Sequence, residues 1–178
     1  MMRFLLSPLR RFWRNETGAA VAEFAVMLPL YLTVMLSGVE LGIWTLRQTM
    51  LERGLDLAVR DLRLATGQAT SHDDLKDLIC KYAGIIEDCS TSLKLEMKPV
   101  SMWGFDSLPA SVDCVDRAEE VNPVRSFVAG EGNQMMLLRA CVKFDPIFPT
   151  IGLGKSMAVD GNGDAAMVAL SAFVQEPI

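Results

Sequence analysis

Chemistry-bearing residues are scarce in this chain. Among 178 residues there is one histidine, His72, and two tyrosines. A catalytic triad or a multi-histidine metal site would have to be built around His72, and nothing near it in the sequence supports one. The four cysteines include no C-x-x-C pair, which speaks against a zinc site. Charge is sparse at 22%, and the net value of −5 argues against a nucleic-acid binder. Disorder as the main state is excluded by a hydrophobic share of 51% and a mean hydropathy of +0.26. No nucleophile–base pair or ligand cluster is visible, and no cofactor is expected, so the chain reads as structural rather than enzymatic.

The few charges are unevenly placed. Residues 1–18 carry Arg3, Arg10, Arg11 and Arg14 against Glu16, whereas residues 67–178 carry a net −7. Between them, Ala19 to Trp44 holds two charges, Glu23 and Glu40. As a helix this stretch would be about 39 Å long, enough to cross about 30 Å of hydrocarbon. The basic end before the apolar run predicts a cytoplasmic N-terminus and an exported remainder. A secretory signal peptide fits poorly, because Leu36 and Glu40 stand where small residues are needed for cleavage. The small residues lie instead before the apolar run, at Gly18-Ala19-Ala20.

That placement is specific. Gly18 is followed by Ala-Ala-Val-Ala-Glu23-Phe24, so a cut after Gly18 makes Ala19 the first mature residue and Glu23 the fifth. The pattern resembles prepilins whose leader ends in glycine. The longer string, with Pro29 inside the span and Glu40 near its end, is similar to the TadE family of pilus-assembly proteins. The terminal Phe-Val-Gln-Glu176-Pro177 resembles that family's usual ending, and Phe24 stands where major Flp-type pilins usually carry tyrosine. The resemblance implies a minor pilin, or pseudopilin, of the tight-adherence (Flp-type) type IV pilus, sited in the bacterial inner membrane. It also implies a prepilin peptidase that removes the leader, an assembly platform, and a major Flp-type pilin and a second minor pilin as partners. The alternative from another class is an uncleaved single-pass anchor carrying a periplasmic binding or adhesive domain.

Within the span, Glu23 lies on the same helix face as residue 19, so the new α-amine of a cleaved chain would sit within a turn of it. The functional reading is a charge that sets axial register; the bland one is a carboxylate reaching for the interface. Pro29 removes one backbone donor, which predicts a kink or local loosening, or simply a tolerated membrane proline. Glu40 reads as an interfacial carboxylate facing water in preference to a buried partner.

Past the span, Leu51, Leu55, Ala58, Leu62 and Ala65 continue a helical stripe. One helix is therefore expected from Ala19 to about Thr66, with Gly54 as a weak point and Gly67 as its stop. Residues 67–178 are expected to form an α+β periplasmic domain. A helix starts at Ser71 with an Asp74 capping box and ends at Gly84. Strands are expected at Ser92–Val100, Met135–Phe144 and Met167–Val174, forming a small antiparallel sheet.

Cys80, Cys89, Cys114 and Cys141 all fall in this part, and in an oxidising compartment an even count predicts two disulfides. Of the three pairings, Cys80–Cys89 with Cys114–Cys141 is favoured, since the first closes a short loop after the helix. Two look-alikes need weighing. Gly152-Leu-Gly-Lys-Ser156 resembles a phosphate-binding loop, but Pro149 stands where its first glycine belongs. Asp160-Gly-Asn162-Gly-Asp164 starts like a calcium loop but lacks the sixth-position glycine and the closing glutamate. A turn between strands is the favoured reading there, with a weak calcium site as the alternative.

Overall fold

The computed structural model describes residues 18–64, 71–101, 103, 111–115, 117 and 127–176. Residues 1–17 of the expected leader (1–18), and Ala65, Thr66, Gly67 and Pro177, lie outside the described residues.

A single helix, α1, runs from Ala19 to Leu64, about 69 Å at 1.5 Å per residue. It is unbroken at Pro29, so no local melt is present there. The hydroxyl of Thr33 donates to the Pro29 carbonyl at 2.8 Å, and that of Ser37 donates to the Thr33 carbonyl at 2.7 Å. The helix has two halves of different character. Val21, Phe24, Val26, Met27, Leu30, Tyr31 and Val34 are all exposed, so apolar residues face outward all round. This half is long and apolar enough to cross a membrane, as a single-pass anchor would. In the second half Leu51, Leu55, Ala58, Val59 and Leu62 are buried on one stripe.

That stripe forms one wall of a small α+β domain. Helix α2, His72–Ala83, is capped by the Ser71 hydroxyl on the Asp74 amide and closed by Gly84, as the sequence predicts. It packs on α1 through Leu75 and Ile79. Gly54 sits at this crossing. A Cβ there would lie 2.9 Å from the Ile79 carbonyl and 3.1 Å from the Ala83 Cβ, so the glycine is what lets the two helices approach. Its expected weakness is thus a packing requirement. Tyr82 also donates to Asp61 on α1 at 2.6 Å.

A short turn of helix, α3 (Cys89–Ser92), leads into β1 (Leu93–Pro99). β2 spans Met135–Phe144 and β3 spans Ala165–Val174, and the three pair antiparallel in the order β1-β2-β3. Between β2 and β3 lies a further short helix, α4, Gly152–Ser156. One sheet face carries Leu93, Leu95, Met97, Met136, Leu138, Ala140, Met167 and Phe173 against the two long helices, making a single core.

The other sheet face differs from expectation. The alternation in β1 predicts Lys94 and Glu96 facing water, yet both are buried. Residues 111–115 lie across them. Arg139 donates to Glu96, its direct cross-strand partner, through Nε at 2.6 Å and to the Ser111 carbonyl at 3.3 Å. Lys94 donates to Asp113 at 3.0 Å, and Cys114 is bonded to Cys141 on β2. Covering charges this way is tolerable because each has a partner. β3 lies beyond the cover, and its Val168, Leu170 and Val174 are exposed.

Candidate functional site

The N-terminal end of α1 holds the residues that the sequence singles out. Gly18 is exposed and immediately precedes the first helical residue, Ala19, with open space around its α-carbon. Glu23 and Phe24 are exposed on the first turns. Among the described residues Glu23 has no hydrogen-bond or ion-pair partner. Its carboxylate, one turn after the helix start, lies near the positive end of the helix dipole. The whole segment is presented outward, clear of the C-terminal domain.

Glu40 is placed otherwise than expected. It is 2% exposed, not a carboxylate facing water. The backbone amides of Ile147 and Phe148 donate to its two carboxylate oxygens at 3.1 and 2.9 Å. One turn earlier on the same face, the Ser37 hydroxyl accepts from the Leu153 amide at 3.1 Å. These two side chains fasten the β2–β3 connection onto α1. The fit is close. Gly152 has φ of +59°, and a Cβ there would lie 2.2 Å from Ser37 Oγ and 3.3 Å from the Thr33 carbonyl. The Gly152–Ser156 segment is a short helix seated on α1. Pro149 remains the reason that it is no phosphate loop.

Ser37 does not stand out in the sequence, and Gly152 does so only as part of the phosphate-loop look-alike. A signal exists in hindsight: Thr33, Ser37 and Glu40 are polar residues at helical spacing on one face of an otherwise apolar run. A single face of polar groups in such a helix calls for internal partners.

The disulfides are Cys80–Cys89, which ties the end of α2 to α3, and Cys114–Cys141, which holds the covering segment on the sheet. Both are the pairings favoured from the sequence. His72 is structural. Its ring packs edge-on against Phe127, its Nδ1 lies 2.9 Å from Asp73, and its Nε2 accepts from the Leu95 amide at 3.4 Å. The hydrogen bond to His72 lowers the Asp73 carboxyl below its ordinary value.

The calcium-like sequence forms a turn before β3. Asp160 Oδ1 accepts from the amides of Asn162 and Asp164 at 2.9 and 3.0 Å, and its other oxygen accepts from Lys143. The Lys143 bond, followed by these amides, holds the Asp160 carboxyl down at about 2. Asp164 is engaged by Arg117 at 3.1 Å, and Arg117 also reaches Asp145 at 3.1 Å. Burial, then the hydrogen bond shared with Asp145, pushes Asp164 upward; that same hydrogen bond and Arg117 keep Asp145 low. The carboxylates that a cation would need are thus already held by amides, Lys143 and Arg117, which favours the turn reading. Among the described residues no group of three or more His, Cys, Asp or Glu is arranged to hold a metal.

Residues 18–60 match the family described as TadE-like protein, in agreement with the resemblance carried by Gly18, Glu23, Phe24, Pro29 and Glu40. The matched span is α1 without its last turn, together with the glycine that precedes it. No curated protein and no solved structure matches the chain.

Proposed function

We propose that this TadE-like chain is a minor pilin of the tight-adherence pilus, held in the bacterial inner membrane by the first half of α1. In this reading the leader and Gly18 stay on the cytoplasmic side and the α+β domain stands in the periplasm. A prepilin peptidase cuts after Gly18. The cut frees the Ala19 amine one turn from Glu23, where it can pair with that carboxylate or with its counterpart on a neighbouring helix. The major Flp-type pilin, a second minor pilin and the assembly platform are the expected partners. An initiating or tip position suits a domain this large.

The observation that carries the reading is the exposure of Gly18, Glu23 and Phe24 at the head of an apolar helix that matches the TadE-like family. A lone carboxylate in a membrane helix costs about 2.5–3.5 kcal/mol at mid-bilayer on the insertion scale. Nothing in the described part of the chain offsets that for Glu23, whereas Glu40 is fully served by amides. Glu23 is therefore the carboxylate left over for another molecule.

The N-terminal residue of the protein recovered from cells tests the cleavage. Ala19 is expected, and intact Met1 in cells with an active prepilin peptidase refutes it. Glu23→Ala tests the assembly role. Membrane level should hold and surface piliation should drop; normal piliation at normal protein level removes that role.

A further inference from the structure

The β2–β3 connection contains Pro146-Ile-Phe-Pro-Thr-Ile-Gly-Leu-Gly154, nine residues without a charge in a domain that is otherwise acidic. It is fastened not to the domain core but to Ser37 and Glu40 on the apolar half of α1. The depth of those two anchors follows from length. The uncharged run Phe24–Val39 is about 24 Å long, short of the roughly 30 Å of a hydrocarbon core. A span of 20 residues must therefore extend past one end of the run. Extended forward, it covers Phe24 to Ile43 and takes in Glu40, whose carboxylate is already covered and hydrogen-bonded. Extended backward, it covers Ala20 to Val39. Ser37 and Thr33 lie inside the span in both placements, so Gly152, in contact with both, lies at the level of the lipid tails.

Backbone at that depth must have its polar groups satisfied within the protein. Here four of the segment's seven amides are bonded within the protein: those of Ile147 and Phe148 to Glu40, that of Leu153 to Ser37 and that of Ile151 to the Phe148 carbonyl. Pro146 and Pro149 have no amide hydrogen to satisfy. The side chains turned outward are apolar: Ile147 is 41% and Ile151 is 45% exposed. Lys155 follows one turn later, where its ammonium can reach headgroup phosphates while its stem lies along the apolar surface.

We infer that segment 146–154 is a second membrane contact, which inserts Ile147 and Ile151 among the acyl chains of the leaflet nearest the α+β domain. The occupant of this surface is lipid because the surface continues the lipid-facing side of the helix on which it rests. The inference depends on the reading that α1 spans a membrane. Its consequence is that the domain is held down on the bilayer rather than standing off on a bare helix.

The test uses the full chain in phospholipid nanodiscs, with a nitroxide on one added cysteine. The four native cysteines are all in disulfides, so the label reports the added site alone. Labels go to Ile151→Cys and Ile147→Cys, to Val34→Cys in the helix, which is 67% exposed, and to Ile85→Cys after α2, which is 42% exposed. Collision with dissolved oxygen is compared with collision with a water-soluble nickel chelate. At positions 147 and 151 the oxygen-to-nickel ratio should rise several-fold above that at 85 and approach that at 34. A lipid-like signal at 34 with water-like signals at both 147 and 151 overturns this inference alone. Shielding of 147 and 151 from both reagents overturns it as well, since the segment would then be covered by protein. A water-like signal at 34 overturns the spanning reading and the inference with it.

Discussion

The carboxylate of Glu40 receives the backbone amides of Ile147 and Phe148, which follow it by 107 and 108 residues. One buried side chain in the anchor helix thereby fixes the path of a loop from the far end of the sequence.

Glu40→Ala leaves both amides without an acceptor. Hydrogen bonds to a charged group are worth about 1.5–3 kcal/mol each, so a loss of about 3–6 kcal/mol is expected for the two. Glu40→Gln retains one carbonyl acceptor and should fall between. Urea unfolding in detergent micelles measures both, with the exposed Asp77→Ala as reference. A Glu40→Ala midpoint equal to that of Asp77→Ala would show that the contact contributes nothing.

Gly152→Ala should destabilise by about 2 kcal/mol. A left-handed backbone costs an alanine about 1–2 kcal/mol, and the new methyl also meets the Ser37 hydroxyl. Shortening that neighbour with Ser37→Ala should recover part of the loss, so the two substitutions should couple favourably in a double-mutant cycle. Strict additivity would contradict the predicted contact.

The two disulfides should differ in value. On the chain-entropy account, Cys114–Cys141, with a separation of 27, stabilises by about 3.5 kcal/mol, and Cys80–Cys89, with a separation of 9, by about 2.6 kcal/mol. Replacing each pair by alanines and comparing thermal midpoints checks the order. Loss of Cys114–Cys141 should also open the cover over Lys94, Glu96 and Arg139, read as faster amide exchange in β1 and β2. Equal exchange in both variants would show that the cover stays in place without its covalent link.

Asp160 predicts a pH dependence. Its folded value of about 2 lies below the ordinary 3.8, chiefly because of Lys143. The unfolded chain therefore binds the proton more readily. The stabilisation is present above pH 4 and is lost as pH falls from about 4 through 2. Asp160→Asn should lower the urea midpoint at pH 6 and have little effect near pH 2. A constant difference at both values would remove the ion pair as its source.

Local periodicity made most of the fold legible. The stripe from Leu51 to Leu62, the Ser71 cap, the alternation in Ser92–Val100 and two further apolar runs placed two long helices and three strands, with β2 bounded as expected at Met135 and Phe144. Alternation could not tell whether the polar face of β1 meets water, because the cover comes from residues 111–115, which carry no regular pattern. The same limit hid the junction. Glu40 looks interfacial until the loop that serves it is folded back, and that loop is linked to it by no local spacing. The head of α1 was readable because the TadE-like pattern and the helix start both fall within seven residues, Gly18 to Phe24.

The unbroken course of α1 has a mechanical result. From Ser37 to Leu62, about 37 Å along the axis, the rod is gripped at both ends by the same domain: by the loop at Ser37 and Glu40 and by the core at Leu51 to Leu62. A rod clamped at two heights has no swivel between them. Torque applied to the apolar half therefore reaches the sheet without slack, and whatever grips the helix on the N-terminal side of Ser37 also sets the compass bearing of β3's exposed apolar face.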